Sequence, residues 1–186
     1  MRSRIAIDIE ALPDVVFGLA RHVDRWERLL PHYARSRVVS ARPDGSLLVA
    51  FVAVRRVIPL VGLGIPVAWR ARTWNEPDGL RLRFVHVAGP TKGMDVTWHI
   101  EPTPAGCRVT IEHDFRPRFA PWAWFIDTFF TRPVAGRTLA TFKAIAEAVD
   151  AAGAGSAPAT EVFASRSSRP TKGAESESPQ PSKDLA

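Results

Sequence analysis

The sequence predicts an α+β domain in which a seven-stranded, curved antiparallel sheet closes around one long helix near the end of the chain. Three observations predict it. Apolar residues alternate with period two in seven segments, most of them separated by turns rich in Pro, Asp and Gly. Two short helical segments lie between the first strand and the second. A long helix with a broad apolar face follows the last. Short turns join antiparallel neighbours, and helices kept to one face of such a sheet form an α+β layer architecture.

Residues 3–10 open the domain, with Ile5, Ile7 and Ile9 alternating against Arg4, Ala6 and Asp8. Pro13 suits the first turn of a helix on which Val16, Leu19, Ala20 and Val23 recur at helical spacing. Asp24 is placed to cap a second short helix carrying Trp26, Leu29 and Leu30, and Pro31 ends it. The period then switches to two through residues 36–42, 46–56, 67–76, 80–87, 94–101 and 108–115. Pro43-Asp44-Gly45, Glu76-Pro77-Asp78-Gly79 and residues 102–106 mark turns between them. The last element, residues 120–150, begins near Pro121 and presents Trp122, Phe125, Ile126, Phe129 and Phe130 as an apolar face. Pro133 kinks or interrupts it. Val134, Leu139, Phe142, Ile145, Ala146 and Val149 continue it.

A chain of 186 residues with 46% hydrophobic residues supports one domain with a substantial core. Its expected limits are residues 1–150. From residue 151 the composition turns to Ala, Gly, Ser, Pro and charge, which cannot offset its ordering entropy, so 151–186 reads as a disordered tail. In that tail Arg166, Arg169, Lys172 and Lys183 balance Glu161, Glu175, Glu177 and Asp184, so the net charge of +6 belongs to the domain. The excess is spread along many strands, and no RRM, KH or zinc-finger spacing accompanies it, so no nucleic-acid partner is expected. Cys107 is the single cysteine, which suits a reducing compartment. With no signal-peptide pattern at MRSRIAIDIE and no apolar run of about 18 residues, a cytoplasmic location is the expectation.

The order strand, two helices, six strands, long helix, together with particular stretches, resembles the START-like (SRPBCC) superfamily. The likeness is to its polyketide cyclase/dehydrase and Coq10-type ubiquinone-binding branches. The matching stretches are Ile5 to Pro13, then Asp24-Arg25-Trp26 with Leu29-Leu30-Pro31-His32-Tyr33. Pro66 to Trp69 follows, then Gly89-Pro90-Thr91-Lys92-Gly93-Met94 leading to Trp98, and Arg137 to Glu147. The resemblance spans about residues 3–150. It implies a helix-grip fold with a deep cavity for a lipid, a quinone or an aromatic polyketide.

Strand alternation assigns the inner wall independently. Leu82, Phe84 and His86 share one face, Met94, Val96, Trp98 and Ile100 another, and Val109, Ile111, His113 and Phe115 a third. His86 and His113 are the polar exceptions on these faces. They read either as acid/base groups or ligand anchors, or as imidazoles satisfied by neighbours near their strand ends. No third ligand joins them, so neither a metal nor another cofactor is expected. The resemblance brings Trp26 and Tyr33 close to the cavity, with Tyr33 the polar contact; a Trp–Tyr pair stapling helix to sheet is the alternative. The candidate catalytic residues are thus Tyr33, His86 and His113. The candidate ligand-binding residues are Trp26, Arg55, Trp69, Phe84, Met94, Trp98, Ile111 and Phe129.

Cyclases of the resembling type carry an arginine reaching into the pocket from the strand after the Trp69-like position. Thr73 or Trp74 stands there in this sequence. Arg70 and Arg72 share the face opposite Trp69 and Thr73, and Arg55 shares a face with Phe51 and Ala53. Without that cation the developing enolate loses a preorganised partner. The segment Val57–Val67, VIPLVGLGIPV, is apolar where a connection should be polar. It either folds over the cavity mouth or, with Arg55 and Arg56 before it and Trp122, Trp124 and Phe125 near the same mouth, meets a membrane surface or partner. Two functions follow: binding of a hydrophobic small molecule (lipid, quinone or polyketide), or a polyketide cyclase/dehydratase (aromatase) acting on a poly-β-ketone.

Overall fold

The computed structural model describes residues 1–58, 63–77 and 79–155. The tail expected after residue 150 lies outside the described residues from 156 on, as do residues 59–62 of the apolar segment. The described chain runs β1 (Arg2–Ile9), α1 (Pro13–Arg21), a 3-10 turn (Val23–Arg25) leading into α2 (Trp26–Leu29), β2 (Tyr33–Ala41), β3 (Leu47–Ile58) and β4 (Leu63–Asn75). It continues with β5 (Arg81–Ala88), β6 (Asp95–Thr103), β7 (Gly106–Asp114), α3 (Ala120–Ile126), a π turn (Asp127–Thr131) and α4 (Arg132–Gly155).

The seven strands form one sheet in the order β1-β7-β6-β5-β4-β3-β2, every neighbour antiparallel. Successive strands from β2 to β7 pair with each other, so the one long connection is the helical crossing from β1 to β2. That crossing leaves β1 and β2 as the sheet edges and puts the helices on the concave side, the helix-grip arrangement expected from the sequence.

Two strands, β2 and β4, begin three or more residues earlier than alternation predicts. β2 starts at Tyr33, because irregularities between Tyr33 and Arg35 and between Val38 and Ser40 break the period that would have revealed it. β4 starts at Leu63, so much of Val57–Val67 is hairpin and not loop: Ala53, Val54 and Arg55 pair with Val67, Pro66 and Ile65.

The grip closes through the C-terminal half of α4. Lys143 Nζ donates to the Asp8 carbonyl at 2.8 Å, Glu147 accepts the Glu10 N–H at 2.9 Å, and Asp150 accepts the Leu12 N–H at 3.3 Å. Inside, Leu139, Phe142 and Ala146 are buried against the sheet. α4 continues to Gly155, so residues 151–155, expected in the tail, are helical. Val149, expected on the apolar face, is 49% exposed. Pro133 does not break the helix. Lacking an N–H, it cannot donate to the previous turn, and the helix widens into the π turn just before it.

Candidate functional site

The inner face of the sheet is aromatic, and Trp26 is its centre. The Trp26 ring lies 5.4–5.8 Å, centre to centre, from Tyr33, Phe51, Phe84, Trp98 and Phe142. Its Nε1–H donates to the Ala20 carbonyl at 3.1 Å, so its polar atom is satisfied where the ring is buried. The tilted and edge-on geometries are those aromatic pairs prefer. The Trp26–Tyr33 contact thus belongs to a larger cluster, and both residues also face the cavity.

That cavity has a volume of about 60 Å³. Sheet residues Phe51, Trp69, Phe84, Met94, Val96, Trp98 and Ile111 form one side, with Trp26 and Tyr33 above. Phe130, Thr131, Val134, Ala135 and Thr138 close the other side from the helix. His86 and His113 complete the wall. A space of this size holds a few waters, whereas pockets for drug-sized ligands run to about 300–1,000 Å³. The aromatic side chains have filled the depth that the fold makes available.

Each polar group in the wall has a definable environment. His86 Nδ1 lies 2.6 Å from the Thr91 hydroxyl, and the ring stacks on Trp69 at 5.8 Å. Thr91 is held by the turn 89–93, where the Met94 and Lys92 N–H groups donate to the Thr91 and Gly89 carbonyls. Gly89 is required there. Its φ is +97°, and a Cβ would stand 2.9 Å from Trp69 Cα. His113 Nδ1 lies 3.4 Å from the Ser3 hydroxyl. Burial, then the nearby His113, lowers the His86 pKa to about 3. Burial lowers His113 to about 4; Asp127 opposes that and Arg132 reinforces it. Burial pushes the Tyr33 phenol well above its ordinary value, and the Thr138 hydroxyl opposes the rise only in part.

Three polar residues of this site were not singled out from the sequence. His32, between Pro31 and Tyr33, is buried with its pKa lowered to about 4, first by burial and then by Arg137. Thr138 donates to the Val134 carbonyl at 2.9 Å, so the His32 Nε2, also at 2.9 Å, is the donor to Thr138. Thr131 Oγ1 is buried and has no hydrogen-bond partner among the described residues. Thr131, Val134, Ala135 and Thr138 stand at i, i+3, i+4 and i+7, so helical spacing could have found this stripe had its threonines been admitted to an apolar face.

Of the residues expected to bind ligand, Trp26, Trp69, Phe84, Met94, Trp98 and Ile111 line the cavity, as do Tyr33, His86 and His113. Arg55 and Phe129 do not. They meet each other outside it, with the Arg55 guanidinium 5.3 Å from the centre of the Phe129 ring, and Phe129 is 42% exposed. The π turn explains this: it carries Phe130 inward and its neighbour outward. Among the described residues no arginine enters the wall. Thr73 is buried on the inner face of β4, while the Arg72 guanidinium lies over the Trp74 ring, which like Arg72 is half-buried. Among the described residues no group of three or more His, Cys, Asp or Glu is placed to hold a metal ion.

Comparison with known proteins places this arrangement. The fold is similar to that of the Zhui aromatase/cyclase from Streptomyces sp. R1128, with a TM-score of 0.68 at 16% identity, covering 82% of this chain and 98% of the other. It is similar to a START superfamily protein from Mycobacterium smegmatis, with a TM-score of 0.55 at 11% identity, covering 81% of this chain and 97% of that one. In sequence, the chain is 27% identical over 110 residues to a Streptomyces cyaneus protein described as a "Putative polyketide cyclase", covering 59% of this chain and 68% of that protein. The family model described as polyketide cyclase / dehydrase and lipid transport matches residues 2–150. The chain therefore belongs to the polyketide cyclase / dehydrase and lipid transport family.

Proposed function

We propose that this protein binds a neutral, hydrophobic small molecule, a lipid, quinone or polyketide, between the aromatic sheet face and the helix. The observation that carries this reading is the composition of the wall. It is aromatic and aliphatic, and its polar points are Tyr33, His86, His113, Thr131 and Thr138, with no side chain charged at neutral pH. Such a wall desolvates an apolar ligand and offers it hydrogen bonds without the cost of burying an ion. Since the cavity holds about 60 Å³, a ligand of that class enters by displacing part of the wall. Phe130, edge-on to Trp69 at 5.4 Å and next to the π turn, is the side chain best placed to move.

The test is native mass spectrometry of the purified protein, followed by titration with a short-chain ubiquinone and a long-chain fatty acid, read by quenching of the buried tryptophans. A co-purified small molecule, or saturable quenching that Ala135→Val weakens about tenfold, supports the reading. Absence of both overturns it.

The second reading is a polyketide cyclase/dehydratase. What favours it is that Tyr33, His86 and His113 face one cavity in a fold shared with an aromatase/cyclase. Two features weigh against it. Imidazoles with pKa values near 3 and 4 are weak bases at neutral pH, far from the match that proton transfer needs. The wall also lacks a cation to stabilise an enolate. Aromatisation of a poly-β-ketone, slowed at least about a hundredfold by His86→Ala or His113→Ala, would establish catalysis on the scale typical of a general acid or base.

A further inference from the structure

The aromatic face at the start of the C-terminal helical region does not pack into the grip. Phe119 is 67% exposed and Trp124 64%, with Trp122, Phe125 and Phe129 each about two-fifths exposed. The last four are contiguous. Trp122 stacks on Phe125 at 5.5 Å, Phe125 lies 5.0 Å from Phe129, and Trp124 meets Phe129 edge-on at 5.9 Å. The patch is anchored on both sides. Trp122 Nε1–H donates to the Pro90 carbonyl at 3.2 Å, and Arg55 of β3 covers Phe129. Ile65, the pairing partner of Arg55, adds an exposed aliphatic side chain on the β3–β4 hairpin.

The charges around this patch that have no ion pair among the described residues have one sign. Arg118 precedes Phe119, Lys92 follows Pro90, and Arg55 lies on Phe129. None of the three has an ion pair among the described residues. The nearby carboxylates are engaged: Asp114 with Arg2 and Arg116, and Asp127 with Arg132 at 2.9 Å. Tryptophan and phenylalanine protruding inside a rim of cations suit the headgroup region of an anionic bilayer, where the rings enter the acyl boundary and the cations meet lipid phosphate. Soluble proteins rarely expose a contiguous apolar surface, and one rimmed by polar residues marks an interaction site.

We infer that α3, with Phe119, Phe129 and the described part of the β3–β4 hairpin, is a docking surface for anionic phospholipid membranes. Of the membrane contact expected around Val57–Val67, this assigns the described part to the helix with Arg55 and Ile65; residues 59–62 lie outside the described residues. It also puts the bilayer beside one end of the cavity, because Pro90 sits next to Thr91, the partner of His86, and Phe130 follows Phe129. The surface is defined by its own residues, so it stands whether or not the cavity takes a ligand.

The experiment is co-sedimentation of the full chain with phosphatidylcholine vesicles, with and without phosphatidylglycerol, across a salt series. Binding should require phosphatidylglycerol, weaken as salt rises, and shift tryptophan emission to the blue as Trp122 and Trp124 leave water. The triple variant Phe119→Ser, Trp124→Ser, Phe125→Ser should keep the wild-type melting temperature and lose at least about tenfold in vesicle partitioning, the scale of removing apolar side chains from a nonpolar phase. Lys92→Glu with Arg118→Glu should abolish the phosphatidylglycerol preference. Ala135→Val, which narrows the cavity, should leave vesicle binding unchanged, so failure of the docking surface and failure of the ligand reading are read separately. No binding to either vesicle, or equal binding by the triple variant, overturns the inference. So does a dimer of the wild-type chain that the triple variant dissolves, since a second copy would then cover the face.

Discussion

The molecule carries two aromatic clusters of similar composition and opposite fate. Trp26, Phe51, Trp69, Phe84, Trp98 and Phe142 face one another inside the grip and are nearly all shielded from water. Phe119, Trp122, Trp124, Phe125 and Phe129 face outward from α3 and the π turn. Hydrophobicity does not distinguish them. The difference is what stands opposite. The inner rings come from strands and helices that share one enclosed space, while α3 buries Ala123 and Ile126 and leaves its aromatic side chains facing outward. The inner cluster therefore reports on stability and cavity shape, and the outer cluster on surface contact.

The largest effect should come from breaking the inner cluster at its centre. Trp26→Ala removes a side chain that touches five aromatic neighbours and should destabilise the fold by about 3–5 kcal/mol. Trp124→Ala, at an exposed position, should stay within about 0.5 kcal/mol of the wild type. Urea denaturation followed by circular dichroism measures both. Equal costs would mean that the two clusters are not different in kind.

The two regions also differed in how far the sequence disclosed them. Strands leave a period of two, so the sequence alone assigns Leu82, Phe84 and His86, or Val109, Ile111 and His113, to the inner wall, and they line or border it. Helical periodicity marked Trp122, Phe125 and Phe129 equally well as an apolar face, but period alone does not say whether anything stands opposite that face. Three further features left no local signal. The bulges that start β2 at Tyr33 break alternation. The π turn that separates Phe129 from Phe130 forms ahead of Pro133, and a proline at that position reads from sequence only as a kink. The small cavity is a sum over packing contacts that no single segment determines.

Acid should separate the regions next. His86 at about 3, and His32 and His113 at about 4, all lie below the ordinary 6.5. As pH falls below 6.5 the unfolded chain takes up protons that the folded chain refuses. Stability is therefore full above that value and falls with pH towards 4, by at most about 1.4 kcal/mol per pH unit for each histidine. Melting temperatures between pH 7 and pH 4.5 should decline, and His86→Phe should flatten the decline. Trp124→Ala should leave the profile unchanged. A flat wild-type profile would show that the imidazoles are not held neutral by burial.

A smaller effect should follow from Thr91→Val, a near-isosteric change that leaves His86 Nδ1 without its partner in a buried site. The expected cost is about 1–3 kcal/mol, that of an unsatisfied buried polar group. Removing both partners, as His86→Phe with Thr91→Val, should cost less than the sum of the two single changes, because nothing polar is then left unpaired. Additivity would mean that the 2.6 Å contact does no more than fill space.

The smallest effect tests the seam between the two regions. Arg55 looked from the sequence like a cation for the cavity, yet it covers Phe129 on the outside. A double-mutant cycle of Arg55→Ala and Phe129→Leu should give a coupling of about 0.5–1 kcal/mol, the range for a cation over an exposed ring. The same pair should leave quinone quenching of the inner tryptophans unchanged, because neither side chain lines the cavity. Should Arg55→Ala alone weaken ligand binding, the arginine reaches inward when a ligand is present. The wall would then gain the cation whose absence argues against cyclase chemistry.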